Sequence, residues 1–97
     1  MREALRAAVE AALDRAEAAG ELRRPEGAPW PPISIERPAR PEHGDYATNA
    51  AMQLAPIVRD APLRIAETLK RHLGLPDGVS EVSVAPPGFL NLRLDLG

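Results

Sequence analysis

Residues 86–94 read PPGFLNLRL. In an extended strand, successive side chains point to opposite faces. Leu90, Leu92 and Leu94 therefore share one face, and Phe89, Asn91 and Arg93 share the other. The leucines read as core. The other three carry chemistry of a particular kind. Phe offers a flat surface on which an unpaired base can stack, an interaction worth roughly 1–3 kcal/mol per base. Asn both donates and accepts hydrogen bonds on a base edge. Arg neutralises a phosphate or stacks. A sheet covered by helices on one side leaves its other side open, and an open side of this makeup suits single-stranded RNA. The same spacing also fits a plainer arrangement, with Phe89 tucked under a Pro-rich loop and Asn91 and Arg93 simply solvated.

Nothing else in the chain reads as a reaction centre, and no catalytic residue is assigned. His43 and Asp45 stand two apart in His-Gly-Asp without a partner nucleophile, and they read as a turn followed by a helix cap. His72 falls late in a helical stretch, where a cation suits the helix dipole. No Gly-rich phosphate loop joins a strand to a helix, and no serine sits in a nucleophile elbow. The absence of cysteine excludes disulfides and sulfur-ligated zinc. Two histidines are too few for a His-rich metal site, so neither metal nor cofactor is expected in this chain.

The elements that would hold the strand follow from periodicity. With 97 residues the chain suits one domain with a single modest core. From Arg2 to Ala19, apolar residues at 5, 9, 12, 13 and 16 repeat at helical spacing, and Gly20 is a left-handed stop. Residues 21–32, including RRPEGAPWPP, form a loop that carries Trp30. ISIER reads as a short strand with Ile33 and Ile35 inward, closed by Pro38. A helix is expected to start near Asp45, as its N-cap, burying Ala50, Ala51, Leu54 and Ala55. Pro56 interrupts it. Pro62 opens a further helix with Ile65, Ala66, Leu69 and Leu73 inward, ended by Gly74 and Pro76. Val82 and Val84 mark a second strand, and Pro86–Gly88 a tight turn into the third. The expected class is α+β, a small antiparallel sheet with helices packed on one face.

Charge sets the remaining bounds. The formal net charge is −2, so any nucleic-acid contact must use a local patch. No apolar run nears the ~20 residues of a membrane span, and the charged N-terminal stretch lacks the apolar core of a signal peptide. A cytoplasmic monomer, without membrane or DNA partners, is the default. Eleven of the twelve basic residues are arginine, which reads as composition bias.

Three stretches in this order, HGDYATNAAMQLA, APLRIAETLKRHL and VSVAPPGFLNLRL, resemble the N-terminal additional domain of arginyl-tRNA synthetases. The resemblance spans residues 1–97. It implies a domain that binds the outer corner of arginine tRNA, where the D-loop and TΨC-loop meet, and so supports arginylation. In the family, an aromatic residue and an asparagine two positions later contact a D-loop nucleotide. By motif position these are Phe89 and Asn91, on the face already singled out by alternation. Arg93 is carried as a phosphate contact, with Tyr46, Arg37 and Arg40 as weaker RNA contacts. Gly44, Asp45, Asn49 and Gly88 read as structural. The signatures of the catalytic domain are absent from the chain. ATP and arginine would bind elsewhere in a full-length ligase, and the anticodon-binding domain would lie elsewhere too. The rival reading is a free-standing adaptor that binds a protein through Trp30 and its Pro-rich loop or through the same strand face.

Overall fold

The computed structural model describes residues 1–95. Helix α1 (Arg2–Ala18) buries Leu5, Val9, Ala12, Leu13 and Ala16 along one stripe. It ends as expected. Gly20 takes φ +78°, and the N–H groups of Gly20 and Glu21 donate back to the carbonyls of Glu17 and Ala16. These bonds satisfy carbonyls that the last helical turn leaves without partners.

The long segment that follows runs back along the core. Leu22, Ile33 and Ile35 are buried. Trp30 is half-buried, with the Arg24 guanidinium 4.3 Å from its ring centre, and Arg24 also pairs with Glu17 at 2.9 Å. The expected strand over 33–36 is reduced to one bridge. Glu36 and Ala47 exchange two backbone hydrogen bonds of 2.8 and 2.7 Å. Prolines at 31, 32 and 38 bracket the segment and remove the donors a longer ladder would need.

A second difference lies at 45–49. Here the chain forms a short strand, β1 (Tyr46–Thr48), before helix α2 (Ala50–Val58) begins. Asp45 is therefore not a helix cap. Its backbone N–H donates to the Leu92 carbonyl and its carboxylate accepts the Leu94 N–H, both at 2.8 Å. Asn49 holds the cap position without a side-chain hydrogen bond. The Thr48 hydroxyl instead accepts the Ala50 N–H at 3.2 Å. Gly44 has φ +111°, and a Cβ there would stand 2.8 Å from the Leu92 carbonyl oxygen. The motif's glycine and aspartate thus fasten β1 to a strand nearly fifty residues away.

Helix α2 runs through Pro56 and stops at Arg59 in the left-handed region. Asp60 accepts the Ala61 N–H at 2.8 Å, and Pro62 opens helix α3 (Pro62–Leu73), where its missing N–H removes no helical bond. α3 buries Ile65, Ala66, Leu69 and Leu73 and packs against both other helices and the sheet. Strands β2 (Val79–Ala85) and β3 (Phe89–Leu94) form the expected hairpin around the turn at 86–88. A Cβ on Gly88 would meet the Pro62 Cβ at 2.7 Å, so this turn sits directly on the start of α3. The antiparallel order is β1-β3-β2, with β3 central. Leu90 and Leu92 are sealed against the helices, and Leu94 is half-buried. The α+β class with helices on one side holds. Among the described residues no helix is long and apolar enough to cross a membrane.

Candidate nucleic-acid interface

The side of β3 away from the leucines opens on a groove of about 670 Å³. Strand register explains the space. Asn91 lies between Ala47 on β1 and Ser83 on β2, and Phe89 lies beside Ala85. Small neighbours flank two larger side chains and leave volume above them. The segment from Ser34 to Ala39 walls one side, held there by the Glu36–Ala47 bridge. Asn49 and Gln53, at helical i and i+4 positions, bring the start of α2 to the same groove.

Alternation places Phe89 and Asn91 together, as expected, but their exposures differ. Phe89 is 37% exposed, whereas Asn91 is only 6% exposed. Asn91 thus lies on the expected face, but at the bottom of a groove and not on an open surface. It lies on the central strand, and the Ser34–Ala39 wall and α2 rise around it. Among the described residues its carboxamide has no hydrogen-bond partner. Its polar atoms are not sealed, so they face the groove and are open to a partner that enters it.

Arg93 shares their strand face but not their groove. Its Nη2 donates to the Glu42 carbonyl at 3.0 Å, and its Nε lies 3.5 Å from the Glu81 carboxylate. Arg37 does line the groove. Its guanidinium stands 5.3 Å from the centre of the Tyr46 ring, and that of Arg2 stands 5.7 Å from the same ring. Tyr46 itself pairs with Leu92, packs half-buried against the core and lies outside the groove. Arg40 is exposed, 4.0 Å from Glu42. Sequence reading missed Asn49 and Gln53 as groove residues. The sequence motif makes Asn49 structural, yet its side chain is exposed at the groove edge and makes no capping hydrogen bond. The only available signal was the i, i+4 spacing of two carboxamides just after a strand.

Charged groups elsewhere satisfy one another. Glu21, outside the groove, takes His72 Nε2 and, at 2.6 Å, Arg71 Nη1. The hydrogen bond from His72, followed by that from Arg71, holds the Glu21 carboxyl below its ordinary range. Arg15 donates to the His72 carbonyl and completes the tie between α1 and α3. Among the described residues no cluster of His, Asp and Glu is placed to hold a metal ion.

Residues 2–94 match the family model described as the arginyl tRNA synthetase N terminal domain. Curated relatives include an arginine–tRNA ligase of Desulforudis audaxviator, 47% identical over 95% of this chain and 16% of the relative. The arginine–tRNA ligase of Geotalea daltonii is 44% identical over 97% of this chain and 16% of its own length. The solved arginyl-tRNA synthetase of Thermus thermophilus superposes with a TM-score of 0.75 at 33% identity, over 98% of this chain and 14% of that one. The chain thus spans about one sixth of the length of its curated relatives.

Proposed function

From a chain that belongs to the arginyl-tRNA synthetase N-terminal domain family, we propose a module that reads the outer corner of arginine tRNA and leaves chemistry to other domains. The proposed target is an unpaired nucleotide of the D-loop, whose recognition supports arginylation by a longer ligase. One observation carries the reading: Asn91, largely buried at the groove floor, has a carboxamide with no partner in the chain, beside the partly exposed ring of Phe89.

The mechanism is recognition by stacking and edge reading. A base displaced from its own stack enters the groove and lies against Phe89, while Asn91 donates to and accepts from its edge. Because Asn91 has no partner in the unbound chain, binding exchanges no internal hydrogen bond for the new one. Arg37 at the wall is placed for the adjoining phosphate. A phosphate contact by Arg93 would require giving up its contacts with Glu81 and Glu42. With few phosphates neutralised and a net charge of −2, affinity should be modest and its salt dependence shallow, a slope of roughly −0.7 in log K per phosphate contacted.

The decisive experiment titrates the chain with arginine tRNA and with the same tRNA altered at single D-loop positions. Wild-type chain should prefer one base at one position. Asn91→Ala should lose most of that preference, a change of roughly 1–3 kcal/mol at that position, and bind the variants more nearly alike. Equal weakening on every D-loop variant would refute base reading by Asn91.

A further inference from the structure

Gln53 poses a problem that the reading above does not solve. Its side chain lines the groove, yet its Oε1 is sealed from solvent without a hydrogen-bond partner among the described residues. Buried acceptors are nearly always paired. Trp30 carries the other such atom, Nε1, but its ring is stacked by Arg24 outside the groove. Among the described residues, Gln53 alone combines a polar atom that is both sealed and unpaired with a place in the binding cavity.

Its position makes the problem informative. Gln53 stands in the first turns of α2, anchored through a backbone bond from its N–H to the Asn49 carbonyl. The helix fixes where the side chain starts, and its last torsion, between sp³ and sp² atoms, is soft and broad. Rotation there exchanges the sealed oxygen for the amide nitrogen at little cost. The unsealed amide nitrogen is the atom open to an occupant as the chain stands, and the flip would offer the oxygen in its place.

We propose that Gln53 is a second specificity-determining residue of this groove, its carboxamide pairing with the edge of the same RNA base that Asn91 reads. The inference rests on the reading of the groove as a base site. Two carboxamides from different elements, one on β3 and one on α2, then define a base by two separate contacts. A single amide can satisfy more than one base by flipping, because its oxygen and nitrogen are nearly equal in shape. Two amides fixed on different supports accept fewer bases, since both must be paired at once.

The test uses Gln53→Met, which keeps the length of the side chain and removes its polar atoms. Binding of arginine tRNA and of its single-base D-loop variants is measured for wild type, Gln53→Met and Asn91→Ala, with thermal stability measured alongside. Gln53→Met should reduce discrimination between D-loop bases by about 3- to 10-fold, the size of one hydrogen bond to a neutral partner. Its melting temperature should hold or rise, since an unpaired buried oxygen has been removed. In wild type, the Gln53 side-chain amide resonances should shift on adding arginine tRNA. If Asn91→Ala loses discrimination while Gln53→Met keeps all of it, the inference fails and the base site stands. If wild type binds every D-loop variant alike, or binds none at low salt, the base site fails and this inference with it.

Discussion

The two faces of strand β3 were built to opposite rules. On one face, Leu90 and Leu92 are sealed in the core beneath helices α2 and α3, with no polar side chain in their row. On the other, Asn91 is almost as deeply buried but meets no partner, and Phe89 beside it stays partly open. Two residues one position apart thus have similar burial and contrasting energetics. The leucine gains free energy from leaving water. The asparagine makes no hydrogen bond inside the chain and keeps its polar atoms turned to the groove. Burial alone therefore says nothing about whether a residue serves the fold. The distinguishing sign is whether its polar atoms are paired.

The largest expected effect is on the closed face. Leu90→Ala should cost about 2–5 kcal/mol by removing buried methyl groups and leaving a cavity, read from urea or thermal unfolding. A loss well under 1 kcal/mol would mean that the two faces are less different than their packing indicates.

The open face should respond in the opposite sense. Asn91→Leu replaces a partnerless amide with an apolar side chain of similar volume. Stability should hold or rise by up to ~1 kcal/mol, while preference among D-loop bases falls sharply. A clear loss of stability would show that Asn91 supports the fold.

The smallest effect comes from a region where polar groups do find one another. Glu21 receives His72 and Arg71, and its carboxyl titrates below the ordinary value of 4.5. A depressed carboxyl contributes stability that is complete above 4.5 and fades as pH falls through the lower folded value. The stability difference between wild type and Glu21→Gln should therefore be present at neutral pH and shrink below pH 4.5, as followed by melting temperature. The cluster is exposed, so the difference should be small at every pH. A difference that grew on acidification would contradict the pairing.

Much of this contrast was legible in the residues themselves. Period-two alternation separated Leu90 and Leu92 from Phe89 and Asn91, and period-3.6 stripes placed Leu13, Leu54 and Leu69 inside. Such patterns are local, and burial acts on them directly. The missed features depended on partners far along the chain. Asp45 resembles a helix cap because its true partner, the Leu94 N–H, lies 49 residues away. Tyr46–Thr48 is too short for alternation to announce a strand, and it exists because β3 offers a free edge there. Asn91 looked exposed because the wall over it comes from residues 34–39, set in place by a single bridge to Ala47. The importance of Gln53 lies in an unmade hydrogen bond, which no pattern of residue types records.

The strand order has a consequence in time. β3 is central in space but the last described strand in sequence. During synthesis the three helices emerge first, and their mutual contacts are available before any strand pair exists. The walls of the groove, at 34–39 and 47–53, are made about forty residues before its floor at 89–91. At ~5–20 residues per second, the ribosome holds the nascent groove floorless for several seconds. Through that interval β1 has no neighbouring strand, and the arrival of Phe89–Leu94 both closes the sheet and creates the surface that would receive RNA.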